Sequence, residues 1–414
     1  MAERLLVTAL KGGTNTKIIT LSRKKMTKMP SGLEKLPGLR TLYLQNNFIC
    51  KVCPELSTLT KLTLLNMGNN LFEEVPEELK HLKSLKKLHL FGNRICRIAP
   101  GVFDGLQELV LLNLNGNRLT SLPQEISRLR NLTYLSISHN KLTRIPTELC
   151  SLEHLSVLYL NYNQLMCIPD EIKCLHNLQK LFLARNNIDV MPEGICHLKK
   201  LRILDIAGNV IQIFPAGFQN LKLREFYCEG NPLFVKRPIS ANQPKDIWTL
   251  REIAARFVLL QLEENNPLIL NDIENYPETK DTISKAKKCA VCTKPFLSEW
   301  LECVQFFPPW KNCKISKNLQ LIPLRILLCS YQCFDQRSPN VFGIVEELSR
   351  DFGIIEDNEK QFGSNMVSSE VSQKLKPPLT GFISFFCQTN LLKITKSTSG
   401  RIRIQTFIDT VSCH

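Results

Sequence analysis

The sequence predicts a solenoid of stacked α/β repeats with one continuous parallel sheet, followed by a small helical and cysteine-rich C-terminal module. Two observations lead to this prediction: a phrase of period 23 that occurs nine times, and two close cysteine pairs beyond its last copy. The chain has 414 residues, 43% of them hydrophobic. This content excludes wholesale disorder, and no apolar run approaches the ~20 residues of a membrane-spanning helix.

The repeated phrase reads Leu-x-x-Leu-x-Leu-x-x-Asn. Its last residue recurs at Asn47, Asn70, Asn93, Asn117, Asn140, Asn163, Asn186, Asn209 and Asn231. The Leu-x-Leu pair alternates with period two, which indicates a short strand with its Leu side chains inward. The Asn amide carries both a donor and an acceptor, so it can satisfy backbone groups at the bend. One turn cannot bury its apolar face, but stacked turns form a continuous core.

The two ends of the array depart from the phrase. Upstream, Ile19 and Leu21 keep the register while Lys24, which is only a donor, occupies the Asn position, indicating a degenerate first turn. Downstream, Asn231-Pro232 breaks the phrase and indicates a last repeat. The predicted organisation is a solenoid over residues 1–236, a linker with an amphipathic helix over 237–286, a cysteine-rich module over 287–345 and a poorly ordered tail over 346–414, with a short strand at 382–386.

The repeats resemble the 23-residue intracellular class of the leucine-rich repeat family, which reads LPxxIxxLxxLxxLxLxxNxL. The Pro position is matched after an apolar residue in six copies, for example at Val75-Pro76 and Ile168-Pro169. The resemblance implies a right-handed horseshoe with a parallel concave sheet. It also implies an intracellular protein without enzymatic activity.

The strand positions two, four and six residues before each Asn project from the concave side. Aromatic residues recur there, and tyrosine is enriched among residues that dominate protein interfaces. We therefore expect this face to bind a protein partner; the alternative is that the rings only pack on their neighbours along the sheet. The candidate partner-binding residues are Tyr43, His89, Phe91, Tyr134, Tyr159, Phe182 and Tyr227.

The formal net charge of +15 raises the question of nucleic acid. Residues 1–30 carry seven basic residues against one Glu, whereas the concave positions are almost neutral. Nucleic-acid binding favours a basic groove with interleaved aromatic residues, so a nucleic-acid partner is not expected. The first residues lack the apolar stretch of a secretory signal, which predicts a cytoplasmic, reducing location. No nucleophile–His–acid signature or phosphate-binding loop is present, so we expect neither catalysis nor a catalytic cofactor.

The 16 cysteines divide into groups. Eight lie in the repeats, where we expect them to pack as small apolar residues. Two close pairs further on, Cys289 with Cys292 and Cys329 with Cys333, predict a structural zinc ion held by four thiolates. Cys303 and Cys313 are spare ligands, and the alternative is a set of reduced core thiols. The surrounding aromatic residues expected around this small core are Trp300, Phe306, Phe307 and Trp310.

A helix is predicted to begin at Thr249, which forms a capping box with Glu252. Its apolar face comprises Leu250, Ile253, Ala254 and Phe257. One interpretation is that this helix covers the open end of the solenoid.

The same helix also resembles the elongin-binding box of cullin-type ubiquitin-ligase substrate receptors. The matching residues are Thr249, Leu250, Ala254 and Val258. The sequence as a whole therefore predicts a non-enzymatic scaffold or adaptor that binds proteins on its concave face, in intracellular signal transduction. The alternative is a ligase substrate receptor with elongin as a partner.

Overall fold

A computed structural model describes residue 11 and residues 15–233, 249–297, 300–316, 319–335, 341–343, 392–396 and 402–406. Residues 1–351 form one compact unit and residues 352–414 a second one. The first unit contains the repeats together with the cysteine-rich segment, and its described part carries both candidate sites.

The repeats form short parallel strands, one per turn. They are β1 (Ile18–Thr20), β2 (Thr41–Tyr43), β3 (Leu64–Asn66), β4 (Lys87–His89), β5 (Leu111–Asn113), β6 (Tyr134–Ser136), β7 (Val157–Tyr159), β8 (Lys180–Phe182), β9 (Ile203–Asp205), β10 (Phe214–Pro215) and β11 (Glu225–Tyr227). All except β10 lie side by side in chain order in one sheet. Each strand residue lies opposite the equivalent residue of the next repeat: Leu135 lies opposite Leu158, and Leu158 opposite Leu181. The predicted α/β solenoid with a parallel concave sheet is confirmed.

The return segment of each repeat is a short 3₁₀ helix, usually entered through Pro, whose fixed φ suits the first turn of a helix. The 3₁₀ helices span Leu33–Lys35, Pro54–Thr58, Glu77–His81, Pro100–Gly105, Gln124–Arg128, Thr147–Ser151, Asp170–Cys174, Glu193–His197 and Ala216–Asn220. The repeat leucines between strand and 3₁₀ helix are buried in one continuous core. Close stacking leaves no space beside Gly105, where an added Cβ would meet the backbone carbonyl oxygen of Lys80.

The Asn of each repeat forms a buried ladder along the solenoid. Asn163 is typical: its Nδ2 donates to the carbonyl oxygens of Ile137 and Leu160, both at 3.0 Å, and its Oδ1 accepts from the Leu142 amide at 3.1 Å. Each side chain thus joins its own turn to the preceding one. In the degenerate first turn the Lys24 amide donates to Asn47 Oδ1 at 2.9 Å. The predicted role of the Asn is confirmed.

Strands of the cysteine-rich segment cover the C-terminal end of the solenoid. β15 (Lys314–Ile315) adds to the concave sheet beside β11, and β16 (Ile322–Leu328) pairs in parallel with β10. Trp310 packs on Phe218 and Phe226, and its indole Nε1 donates to the carbonyl oxygen of Gln219 at 3.1 Å. Ile322 and Leu324 belong to the same buried core as the repeats.

The remaining elements of this unit form helices and a small sheet. The helices are α1 (Leu250–Glu263), α2 (Pro267–Glu274), α3 (Pro277–Ser284) and α4 (Tyr331–Asp335). β12 (Lys287–Lys288) and β13 (Pro295–Phe296) form a hairpin. β14 (Leu301–Phe307) lies antiparallel between β16 and β17 (Val341–Gly343).

Helix α1 was predicted to lie on the open end of the solenoid, and this prediction is wrong: the strands of the cysteine-rich segment occupy that end, and α1 contacts β13. The expectation that the apolar face of α1 packs against the protein is also wrong, because Leu250, Ile253 and Phe257 are exposed. The buried residues include Glu252 and Arg256, which form an ion pair with a 2.7 Å Nε–Oε1 distance. The predicted capping of α1 by Thr249 is confirmed, since its Oγ1 accepts from the Glu252 amide at 3.3 Å.

The second unit is described only in two strands, β18 (Leu392–Lys396) and β19 (Ile402–Thr406), which pair antiparallel. The sequence analysis did not predict this pair within the tail. The strand predicted at 382–386 lies outside the described residues. Among the described residues, no helix is both long and apolar enough to cross a membrane.

Candidate binding face and candidate metal centre

Three rings form a ladder on the concave face. Tyr159 and Phe182 lie on adjacent strands and stack with centroids 4.3 Å apart and planes 2° apart. Tyr134 tilts against Tyr159 at 5.6 Å. Tyr159 and Phe182 each lie four residues before a repeat Asn, so they are opposite each other in the parallel register. Tyr134 lies opposite Val157 and reaches Tyr159 diagonally. Burial, followed by the neighbouring Tyr134, raises the pKa of Tyr159.

The other predicted face residues do not join this ladder. Phe91 lies over Gly68 of the preceding turn, where its ring fills the space that a Cβ would take, and contacts His89 edge-on at 6.3 Å. Tyr227 donates its hydroxyl to Glu225 Oε2 at 2.8 Å and lies under the Lys314 ammonium of β15. Tyr43, on β2, is half-buried. The rings therefore pack on neighbours as well as facing the groove.

A second stack lies beside the face and escaped the sequence analysis. His139 and Tyr162 immediately precede Asn140 and Asn163 of the buried Asn ladder, and their rings stack with centroids 4.3 Å apart. Both have positive φ, 56° and 55°, because this turn position adopts a left-handed conformation in every complete repeat. Tyr162 is 50% exposed. The signal in the sequence is the frequency of Gly and Asn at the position before the repeat Asn.

The acidic residues of the concave face cluster in its last repeats, whereas its basic residues are spread along it. The basic residues Lys87 and Lys180 are exposed. The carboxylates Asp205, Glu225 and Glu229 lie on the last two repeats. Burial and then Glu229 raise the pKa of Asp205, against the opposing hydrogen bond from the Ala207 amide. Lys314 of β15 lies opposite Glu225 and balances part of this negative charge.

The repeat cysteines were expected to pack as small apolar residues, and this holds for only part of them. Cys150 and Cys228 are buried, and burial raises the pKa of each to about 12. The prediction is wrong for Cys50, Cys96, Cys167 and Cys174, whose side chains are exposed. Their repeat positions lie after the strand or at the end of the 3₁₀ helix, where side chains point to solvent.

The cysteine pairs of the C-terminal segment converge on one point. The four sulfur atoms of Cys289, Cys292, Cys329 and Cys333 lie within 4.8 Å of one another. Cys292 Sγ is 3.4 Å from Cys329 Sγ, which is 3.6 Å from Cys333 Sγ. Cys303 is outside this group although it is buried in β14.

The aromatic residues of this segment are shared between two cores rather than gathered around the sulfur atoms. Phe296 and Trp300 pack with the cysteine cluster, whereas Phe307 and Trp310 pack with the core of the repeats. Cys313 also packs with the repeat core. The expectation that all the aromatic residues surround the cysteines is therefore wrong, because half of them close the solenoid.

Backbone amides point at the sulfur of Cys289. The amides of Val291 and Cys329 each donate to it at 3.4 Å. Burial by itself raises the pKa of Cys289, but hydrogen bonds from the Cys292, Cys329 and Val291 amides outweigh burial and lower it to about 7. For Cys329, burial and the neighbouring thiols raise the pKa. The amides therefore stabilise the thiolate form of Cys289.

Only part of the elongin-box match is accessible on α1. Leu250 is 66% exposed at the first turn and Ala254 is half-buried. Val258, the last residue of the match, is 9% exposed. These residues therefore do not present one continuous exposed stripe.

The stacked strand and 3₁₀ turns, the Asn ladder and the parallel concave sheet define a solenoid repeat protein. The model of the family described as leucine rich repeat matches residues 37–95, 92–142, 130–188 and 176–233. The chain belongs to the leucine-rich repeat family. This confirms the family resemblance that the repeats indicated.

Close relatives extend the similarity beyond the repeats. The chain is 67% identical over 346 residues to leucine-rich repeat-containing protein 69 of Homo sapiens, covering 84% of this chain and 100% of that protein. It is 75% identical over 347 residues to the protein of the same name of Mus musculus, again covering 84% and 100%. A solved leucine-rich repeat protein of Leptospira interrogans is 30% identical with a TM-score of 0.51, covering 56% of this chain and 65% of that one.

Proposed function

We propose that this chain is a non-enzymatic scaffold or adaptor that binds a protein partner on its concave face, in intracellular signalling. The observation that carries the proposal is the ladder of Tyr134, Tyr159 and Phe182 on three adjacent strands. Large rigid rings lose little conformational entropy on binding, and such residues dominate protein interfaces. The neighbouring stack of His139 and Tyr162 widens this aromatic area.

The rigidity of the sheet supports this role. The rings stand on backbone strands that the buried Asn ladder joins turn to turn, so the binding face is formed before a partner arrives. Preorganisation of this kind reduces the entropy lost on association. Asp205, Glu225 and Glu229 outnumber Lys314 of β15 at the C-terminal end of the groove and favour a partner that places basic residues there.

The test replaces Tyr134, Tyr159 and Phe182 together with Ala in the full chain. Captured partners from a cell extract are compared by affinity purification and mass spectrometry. The matched control replaces Met166 and Val190, which are large, exposed and outside the strands, with Ala. We expect the variant without the three rings to lose the partners that the control retains. If the folded variant without the three rings captured the same partners as the control, the proposal would be contradicted.

The second candidate function is a substrate receptor of an elongin–cullin ubiquitin ligase. The exposure of Leu250 at the start of α1 favours it, whereas the burial of Val258 requires α1 to rearrange before all matched residues reach a partner. The test is co-purification with elongin, which Leu250→Ser should abolish and Arg251→Ser, at the adjacent exposed position, should preserve. Absence of elongin from the wild-type complex would end this alternative.

A further inference from the structure

We propose that Cys289, Cys292, Cys329 and Cys333 bind one Zn²⁺ ion as four thiolates, and that this ion fastens the C-terminal cap of the solenoid. The proposal is independent of what binds the concave face. It rests on the placement of the four sulfur atoms, on the backbone around them and on the elements that they join.

The sulfur positions match a mononuclear tetrahedral site. A Zn–S bond of ~2.3 Å places tetrahedral sulfur ligands about 3.8 Å apart. The four sulfur atoms all lie within 4.8 Å of one another, and two of their separations are 3.4 and 3.6 Å. These separations exceed by far the ~2.05 Å of a disulfide bond. Small adjustments therefore suffice to bring all four atoms onto one ion.

The backbone of the first cysteine pair is shaped as a ligand turn. Cys289 and Cys292 lie in the connection of the β12–β13 hairpin, where the Thr293 amide donates to the Cys289 carbonyl oxygen at 3.0 Å. Thr293 has φ 61°, a conformation that is a genuine outlier for a β-branched residue. Backbone outliers of this kind persist where surrounding structure determines them, commonly at ligand sites. Here the turn brings both sulfur atoms to one side of the hairpin.

The second pair comes from a different direction. Cys329 follows the last residue of β16, and Cys333 lies in the short helix α4. The Cys329 amide donates to Cys289 Sγ at 3.4 Å, so the two pairs already contact each other through a hydrogen bond of the kind that supports metal-bound thiolates.

Burial alone does not bring a cysteine of this segment into the group of four, as the neighbouring Cys303 shows. Cys303 is 1% exposed in the same small core, yet it stands outside the group of four. Four thiolates complete the coordination of zinc and leave no position for water or substrate. The ion we infer is therefore structural.

The cluster also holds helix α1. Arg256 Nη1 donates to the carbonyl oxygen of Cys329 at 2.9 Å, and Arg256 Nε donates to Glu252 Oε1. The same carboxylate oxygen accepts from the Leu297 amide at 3.0 Å, next to the hairpin. The buried ion pair of α1 therefore binds backbone groups that adjoin both cysteine pairs.

The cluster reaches the repeats through β16. Cys329 directly follows this strand, whose residue Leu324 lies opposite Phe214 of the last repeats. Ile322 and Leu324 are part of the repeat core. An ion that fixes Cys329 to the hairpin thus anchors the end of the strand that covers the solenoid. Loss of the ion should loosen α1, the hairpin and β16, and leave the central repeats intact.

The experiment uses the full chain purified without chelators. Elemental analysis should find about one zinc per chain in the wild type and in Cys303→Ser, and close to none in Cys292→Ser and Cys333→Ser. Removal of zinc and addition of Co²⁺ should give the intense visible absorption of tetrahedral cobalt bound to four thiolates. The wild-type measurements do not depend on any variant folding.

Hydrogen exchange tests the second half of the proposal. Chelation should raise exchange in residues 250–263, 287–296 and 322–328, while the strands from Leu64 to Phe182 stay protected. Wild-type protein without stoichiometric metal, stoichiometric iron in place of zinc, or full zinc in both cysteine variants would overturn the assignment of the site. Unchanged exchange in these segments after zinc removal would overturn the fastening role.

Discussion

The Asn ladder makes a prediction whose magnitude follows from the structure. Asn186 is buried; its Nδ2 donates to the carbonyl oxygens of Leu160 and Leu183 at 3.0 and 2.8 Å, and its Oδ1 accepts from the Leu165 amide at 3.1 Å. Asn186→Ala leaves the buried Leu165 amide without this partner, which costs about 1–3 kcal/mol. The carbonyl oxygens of Leu160 and Leu183 each lose one hydrogen bond but keep those from Asn163 and Asn209. With about 0.5–1.5 kcal/mol for each of the two hydrogen bonds lost at the carbonyls, we expect a loss of about 2–4 kcal/mol in the free energy of unfolding.

The chain offers a matched control one residue away. Asn187→Ala makes the same chemical change at an exposed position, where substitutions usually fall within about 0.5 kcal/mol. The assay is urea unfolding followed by circular dichroism. Because Leu160 and Leu165 belong to the preceding turn, the damage lies at one interface between repeats, and the transition of Asn186→Ala should broaden or split. A difference of less than about 1 kcal/mol between the two variants would refute the reasoning.

Three further changes have expected outcomes. Thr293→Gly relieves the left-handed strain of the cysteine hairpin and should raise the free energy of unfolding by about 1 kcal/mol in urea titrations, a result that a destabilised variant would contradict. Arg256→Met leaves the buried Glu252 carboxylate without its guanidinium and should cost about 3–5 kcal/mol, whereas the same change combined with Glu252→Leu should recover much of that loss. Burial and Glu229 raise the pKa of Asp205, so the folded state binds more protons and wild-type stability falls as pH rises from the ordinary carboxyl pKa through the raised one. Asp205→Asn should therefore be the more stable protein at neutral pH and lose this advantage in acid; equal pH profiles from thermal unfolding would exclude this explanation.

The repeats are predictable from sequence because their information is local and periodic. The spacing of Leu and Asn defines the strand positions, the register and the hydrogen bonds of side chains such as Asn163. The same pattern places Tyr159 and Phe182 on one face. It does not show that Phe91 fills the space above Gly68, because that contact depends on the side-chain volume available in the neighbouring turn.

The sequence predicted which two cysteine pairs approach each other, but not the residues that pack around them. Two close pairs predict convergence, and the structure brings Cys289, Cys292, Cys329 and Cys333 together. Cys303 lies close to the first pair in the sequence, so spacing does not exclude it as a ligand. In the structure it is held opposite Ile326 by the pairing of β14 with β16, away from the other sulfur atoms.

Helix α1 shows where sequence reasoning fails. Its hydrophobic pattern predicted that Leu250, Ile253 and Phe257 face the protein, yet the structure exposes them and buries the ion pair of Glu252 and Arg256. The buried face is decided by long-range hydrogen bonds to Leu297 and to the Cys329 carbonyl oxygen, which no pattern within the helix encodes.

The sequence by itself determined the repeat architecture, since each turn repeats the same local interactions with its neighbours. It also indicated that the two close cysteine pairs converge, but it left Cys303 and Cys313 as alternative members of the group. Only the tertiary structure decided what closes the solenoid: β15, β16 and Trp310, contributed by residues more than 80 positions beyond the strands they cover. The physical reason is that the closing contacts join distant segments through burial and backbone pairing, and such contacts leave no periodic trace in the chain.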